Sequence, residues 1–406
     1  MMIPIIMIAV FVIPMGISGT AIALPHIAGE LGSSPAMLQW VVNGFNVTFA
    51  VFSLVWGIAS DRIGYRATFR LGVALVLAAS AMSALAPNLL VLDAARLVAG
   101  VGCAAVATGG TSLLSNAFSG AERGRAFAVF GTVIGLGLAL SPTISGGLIA
   151  LFDWRGVFAA HAVLAVPALA LSALLPNLRS AERRKLADFS LLRNQYFLAL
   201  TLVPVAGAFG FVTLLTYLPV AFSGVAALSA GETGLLMLPM AIPVLIGPMI
   251  GARGSPMTII RVSLAALVLG TLGMLLLAPG TWLGWLVLPM VLLGFGFGLP
   301  MGLIDAEALA AVPAHSIGTA SGVLNLVRMG SEAIAVGLYA VTLTWLIGRS
   351  IPDRDLAHDT AAGHPGQAAV YANAFHWVMI AQAVLVTITI IAIERLHRAR
   401  VKTAVS

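Results

Sequence analysis

A dozen apolar stretches, each about 18 to 31 residues long and parted by short polar or glycine-rich breaks, leave this chain few folds. About 20 apolar residues carry a helix across a hydrocarbon core, where the backbone has to satisfy its own hydrogen bonds. The stretches are 3–28, 36–59, 69–86, 89–117, 126–151, 157–175, 195–222, 234–251, 257–278, 282–312, 317–347 and 369–393. Of 406 residues, 60% are hydrophobic and 9% charged, against roughly 25% charged in an ordinary soluble domain. No aqueous fold hides that much apolar surface. The expected fold is an all-α membrane protein with twelve transmembrane helices, its lasting partner a lipid bilayer.

The net charge of +6 could suggest nucleic acid, but the positions of the charges argue otherwise. Taking alternate loops together collects Arg62, Arg66, Arg70, Arg123, Arg125, Arg179, Arg183, Arg184, Lys185, Arg193, Arg253, Arg261, Arg395, Arg398, Arg400 and Lys402 on one side. The other side receives Arg155, Arg349 and Arg354. By the positive-inside rule, both termini are expected in the cytoplasm and the chain in the plasma (inner) membrane, with no nucleic-acid partner. The first stretch lacks a basic n-region and is too long for a secretory signal, so Ala21-Ile22-Ala23 is expected to stay uncleaved. The lone Cys103 allows no internal disulfide.

The basic interruption at 177–194 parts the stretches six and six. We therefore expect an N-terminal six-helix bundle at 1–176, a cytoplasmic linker at 177–194 and a C-terminal six-helix bundle at 195–406, an organisation found in secondary transporters. The connection at 348–367 reads as a solvated loop without chemistry. Lys185 and Lys402, the two lysines, do not follow glycine, so no Walker A loop exists. No GxSxG, HExxH or GxGxxG pattern occurs either, and no enzymatic mechanism can be placed. What remains is movement of a solute driven by a gradient, its own or a coupled ion's, with no cofactor beyond a proton gradient.

Between the second and third stretches stands Gly57-Ile58-Ala59-Ser60-Asp61-Arg62-Ile63-Gly64-Tyr65-Arg66. It is a tight turn with a carboxylate among arginines, and it resembles the G-x-x-x-D-R-x-G-x-R/K loop signature of the major facilitator superfamily. Residues 92–105, LDAARLVAGVGCAA, look like that family's fourth-helix motif, with Arg96 inside the membrane followed by Gly100 and Gly102. Residues 137–146, from Gly137 through Pro142 to Gly146, resemble its fifth-helix exporter motif, with Ser141 and Ser145 in place of glycine. Residues 38–43 and 318–328 are similar to the drug:proton antiporter branch.

The resemblance implies two pseudo-symmetric six-helix bundles and alternating access. It also implies that Asp61 ties the cytoplasmic ends of the halves together through arginines and helix N-terminal amides. Two departures stand out. The first-helix acid of that branch is Gly16 here, which excludes proton coupling through it, and the second-half copy of the loop, residues 247–254, carries no carboxylate.

Apart from Arg70 and Arg261, which stand near the ends of theirs, six charged residues fall inside the stretches: Asp93, Arg96, Asp305, Glu307, Arg328 and Glu332. Near the bilayer centre each costs about 2.5 to 3.5 kcal/mol on an insertion scale. Asp93 and Arg96 share a helix face, as do Arg328 and Glu332, whereas Asp305 and Glu307 point about 200° apart. We expect Asp305, Arg328 and Glu332 to form a proton-coupling network. Candidates for lining an amphipathic cavity are Asn43, Asn46, Thr213, Thr216, Tyr217, Met237 and Met240, and His161 reads as a packed neutral side chain. The expected function is secondary active transport by a monomer: proton-coupled export of amphipathic organic molecules, or, alternatively, import or facilitated passage of a polar metabolite. No metal site is expected.

Overall fold

A computed structural model describes residues 2–32, 35–178 and 189–405. Eleven helices among these are long and apolar enough to span a membrane. The longest, Gly120–Leu174, has 55 residues, about twice a bilayer's need. At Asp153 the backbone leaves helical space with φ 59° and ψ −178°. The Asp153 carboxylate accepts the Trp154 N–H at 2.7 Å across the break. The described residues thus make twelve apolar helices: α1 Met2–Leu31, α2 Trp40–Ile63, α3 Tyr65–Ala84, α4 Leu89–Ala117, α5 120–152 and α6 154–174. They continue as α7 Gln195–Ala226, α8 Gly231–Gly251, α9 Pro256–Leu276, α10 Leu283–Ala310, α11 Ala314–Ser350 and α12 Ala368–Arg398.

Local chemistry sets the boundaries. Gly64, at φ 99°, turns α2 into α3 in a conformation that any Cβ would strain. Asn88 caps α4 by accepting the Val91 N–H at 3.0 Å, and Ser229 with Glu232 forms a capping box at α8. The segment 348–367, expected as plain loop, holds a short helix, Arg354–Ala361, because Asp353 accepts the Asp355 and Leu356 N–H groups. One π-helical turn interrupts α1 at Met15–Gly19 and another interrupts α7 at Ala208–Val212. Such turns free backbone carbonyls from the helical ladder.

By packing, the chain forms two compact units: Met1–Phe197 with Gly302–Gly330, and Leu198–Met301 with Ser331–Ser406. In the first, α3 and α4 approach so closely that a Cβ on Gly102 would lie 2.8 Å from the Val76 nitrogen. With little apolar driving force between helices in lipid, such small-residue contacts and interhelical hydrogen bonds supply the cohesion. In the second unit Phe211 of α7 stacks on Phe297 of α10 at 4.4 Å. Residues 179–188 of the expected linker, including Arg179, Arg183, Arg184 and Lys185, lie outside the described residues.

Candidate functional site

In the first unit the α2–α3 turn meets the start of α11. Asp61 Oδ1 accepts the Gly318 N–H at 2.8 Å, and its Oδ2 accepts the Thr319 N–H and hydroxyl, both at 2.9 Å. Free N–H groups and the positive end of the peptide dipole make a helix N-terminus a strong partner for a carboxylate. The buried Tyr65 hydroxyl reaches both Asp61 Oδ1 and the Ala314 carbonyl, each at 3.3 Å. Glycine at both crossing positions allows this approach: a Cβ on Gly57 would sit 2.6 Å from the Gly318 carbonyl oxygen. One turn further, Ser321 and Thr111 share a hydroxyl hydrogen bond of 2.7 Å.

The arginines of the turn do not pair with Asp61. Arg62 is exposed, and Arg66 donates to the Leu175 carbonyl at 3.1 Å. Gly318 and Thr319 open the 318–328 run, whose sequence by itself assigns them no role. The small-x-x-x-small spacing of Gly318 and Gly322 was the available signal.

Arg96 is 2% exposed. Its guanidinium donates to the Val41 carbonyl at 2.9 Å and to the carbonyl of Gly16, which the α1 π-turn presents, and it lies over the Phe45 ring at 4.5 Å. Carbonyl dipoles and a ring face thus take the place of a carboxylate counter-ion. Asp93 shares the helix face but not an ion pair: its Oδ1 is buried without a hydrogen-bond partner. His161 is buried nearby with its Nε2 unpartnered and its ring edge-on to Phe158.

Of the acids in α10, Asp305 is 3% exposed and pairs with Arg328 Nη2 at 2.8 Å, while Arg328 Nη1 donates to Asn325 at 3.3 Å. Glu307 turns away and accepts the Tyr196 hydroxyl at 3.0 Å, beside Asn194, whose amide holds the Ala311 carbonyl. Both contacts tie the end of α10 to residues entering α7. Glu332 lies four residues beyond Arg328, half-buried, where α11 continues into the second unit.

The remaining candidates divide by burial. Gly137 packs on the Pro14 ring, Pro142 lies inside α5, and Gly146 has nothing within 4 Å of where a Cβ would stand. Asn43 and Thr216 are exposed, Asn46 and Met237 are half-buried, and Met240 is fully buried. In the second unit Thr213 accepts a hydrogen bond from Gln382 at 2.8 Å, and Tyr217 stacks on Tyr339 at 4.5 Å. The buried hydroxyls of Tyr339 and Tyr371 and the Gln382 Oε1 have no partner. An aromatic stack bordered by two unspent hydroxyls and an unspent amide oxygen suits an amphipathic ligand. Gln382, Tyr339 and Tyr371 escaped sequence reasoning, since isolated aromatic or amide residues carry no periodic signal.

Among the described residues, twelve apolar helices and a carboxylate capping a helix across a turn mark a polytopic membrane protein. The chain belongs to the Major Facilitator Superfamily, whose family model matches residues 6–336. It is 28% identical over 387 residues to the puromycin resistance protein pur8 of Streptomyces alboniger, covering 78% of this chain and 76% of that one. It is 26% identical to the multidrug resistance protein Stp of Mycobacterium tuberculosis, covering 82% and 75%. Among solved structures it resembles the human organic anion transporter MFSD10, with TM-score 0.71 at 18% identity over 95% of this chain and 98% of that one. It also resembles the proton:xylose symporter XylE, with TM-score 0.73 at 13% identity over 95% and 94%.

Proposed function

We propose that this transporter is a proton-coupled exporter of amphipathic organic compounds, acting as a monomer in the plasma (inner) membrane with both termini cytoplasmic. The observation that carries the reading is the Asp305–Arg328 pair, a carboxylate 3% exposed and held by one arginine at 2.8 Å. Protonating Asp305 removes its attraction for Arg328, which gives α10 and α11 two arrangements for a proton gradient to bias. Glu332, on the Arg328 face of α11, is the second carboxylate of this relay. The positive-inside distribution supports the orientation. Relatives named for resistance to puromycin and to multiple drugs support export, as do the apolar and aromatic surroundings of Tyr217. The 1–176 and 195–406 bundles would rock about the solute, with Asp61 releasing and re-engaging the α11 N-terminus in each cycle.

Gly16 favours a second reading, gradient-independent passage of a polar metabolite, because Arg96 meets a backbone carbonyl where the antiporter branch has an acid. Uptake into everted membrane vesicles distinguishes the two. An exporter accumulates a fluorescent amphipathic cation when the membrane is energised and loses it on addition of an uncoupler. Equal uptake with and without uncoupler would overturn the coupled reading.

A further inference from the structure

In the first unit α1, α5 and α6, with Ala84 of α3, line an open groove of about 750 Å³ whose sides are almost wholly apolar, including Met15, Leu148, Phe152, Ala159 and Leu164. Its shape follows from the break at Asp153. At the elbow α5 and α6 touch so closely that a Cβ on Gly156 would lie 2.6 Å from the Phe152 Cβ. Small side chains, Ala159 and Ala160, then line α6 where the two helices part.

Arg155 stands at the elbow end as the groove's charged lining residue. It pairs with Glu30 at 2.6 Å, 34% and 44% of the two side chains being exposed, and donates to the Ala86 carbonyl at 3.2 Å. Trp154 anchors the pair by donating its indole N–H to Glu30 at 2.7 Å.

Depth identifies the occupant. Nine helical residues separate Arg155 from Leu164, about 13 Å of rise. A hydrocarbon core is about 30 Å thick, so with the exposed ion pair at headgroup level the groove reaches through about one leaflet. The rim carries both charges with capacity to spare. A guanidinium has five N–H donors and a carboxylate about four lone-pair sites, more than these contacts use. A phosphate fits the remaining arginine donors, and an ammonium that still bears N–H groups fits the remaining carboxylate acceptors. A quaternary ammonium has no N–H to give Glu30, and a headgroup with no cation leaves Glu30 facing a phosphate.

We propose that this groove holds one acyl chain of a bilayer phospholipid with a zwitterionic, primary-amine headgroup, its phosphate on Arg155 and its ammonium on Glu30. The site is separate from Asp61, Asp305 and the Tyr217 cluster, and it does not depend on the direction of transport.

The test uses the full chain in nanodiscs of equal phosphatidylethanolamine and phosphatidylglycerol, with retained lipid counted by native mass spectrometry during stepwise delipidation. The wild type is expected to keep one phosphatidylethanolamine, preferred about tenfold, the value of one charge-assisted hydrogen bond. Ala159→Trp, which fills the groove, is expected to lose that lipid, whereas Val384→Trp, at an exposed position of α12 outside the groove's lining, keeps it. Glu30→Gln is expected to keep a lipid but lose the headgroup preference. Phosphatidylethanolamine bearing a photoreactive acyl chain is expected to crosslink wild-type protein at the groove's lining, within residues 11–15, at 84 or within 144–164, a readout that does not require the variants to fold.

Retention of the same lipid by folded Ala159→Trp, absence of a headgroup preference in the wild type, or crosslinks confined elsewhere would each overturn the proposal. Displacement of the lipid mole for mole by a transported drug would also overturn it, making the groove a solute portal.

Discussion

Replacing Asp61 with asparagine isolates the charge of the α2–α3 turn with little change in shape. The carboxylate accepts four hydrogen bonds: Gly318 N and the Tyr65 hydroxyl on Oδ1, Thr319 N and Oγ1 on Oδ2. Asparagine keeps one acceptor oxygen and turns an NH₂ group toward two of those donors. Each hydrogen bond to a charged group is worth about 1.5 to 3 kcal/mol, and rotation of the Thr319 hydroxyl recovers part of the loss. A net loss of about 2 to 4 kcal/mol shifts the equilibrium away from the latched state by about 30- to 700-fold.

Transport in proteoliposomes should then turn over at least about tenfold more slowly, with substrate affinity by equilibrium binding changed less than about threefold, because no solute contact is removed. Thr319→Val, which removes a single donor, should have a smaller effect. The double variant should fall short of additivity by at least about 1 kcal/mol, since the two changes delete one shared contact. Lost binding with unchanged turnover, or full additivity, would refute the latch.

Asp305→Asn or Glu332→Gln should abolish gradient-driven accumulation while downhill exchange remains measurable; wild-type accumulation and pH dependence in both would make these residues structural. Cysteines placed at Arg184 and Asp355 after Cys103→Ala should label from opposite sides of the membrane with an impermeant thiol reagent, and labelling of both from outside would sink the twelve-span orientation. Gly57→Ala should lower turnover by at least about tenfold, because its Cβ would fall 2.6 Å from the Gly318 oxygen and closing the turn would require the two backbones to separate. Wild-type turnover in that variant would show that α2 and α11 need not approach so closely.

Span number, helix type and family were legible because the bilayer imposes a one-dimensional rule. A run of apolar residues either crosses hydrocarbon or does not, and charge tolerated in one loop and not the next is written in the chain itself. The spacing of Asp305 and Glu307 likewise separated them, since 100° per residue fixes their faces before any packing. Tertiary structure alone decided what each charge meets. Arg96 could be read as buried, but its reliance on the Gly16 carbonyl and the Phe45 ring depends on a π-turn in another helix. Asp61 could be read as a motif residue. Its partners, the Gly318 and Thr319 amides, lie more than 250 residues away and are within reach because glycines let α2 touch α11. The break at Asp153 was visible only as a polar gap between apolar runs. That a groove lined by Met15 and Leu148 stands beside the break follows from helices α1, α5 and α6 packing together, a contact that no local pattern encodes.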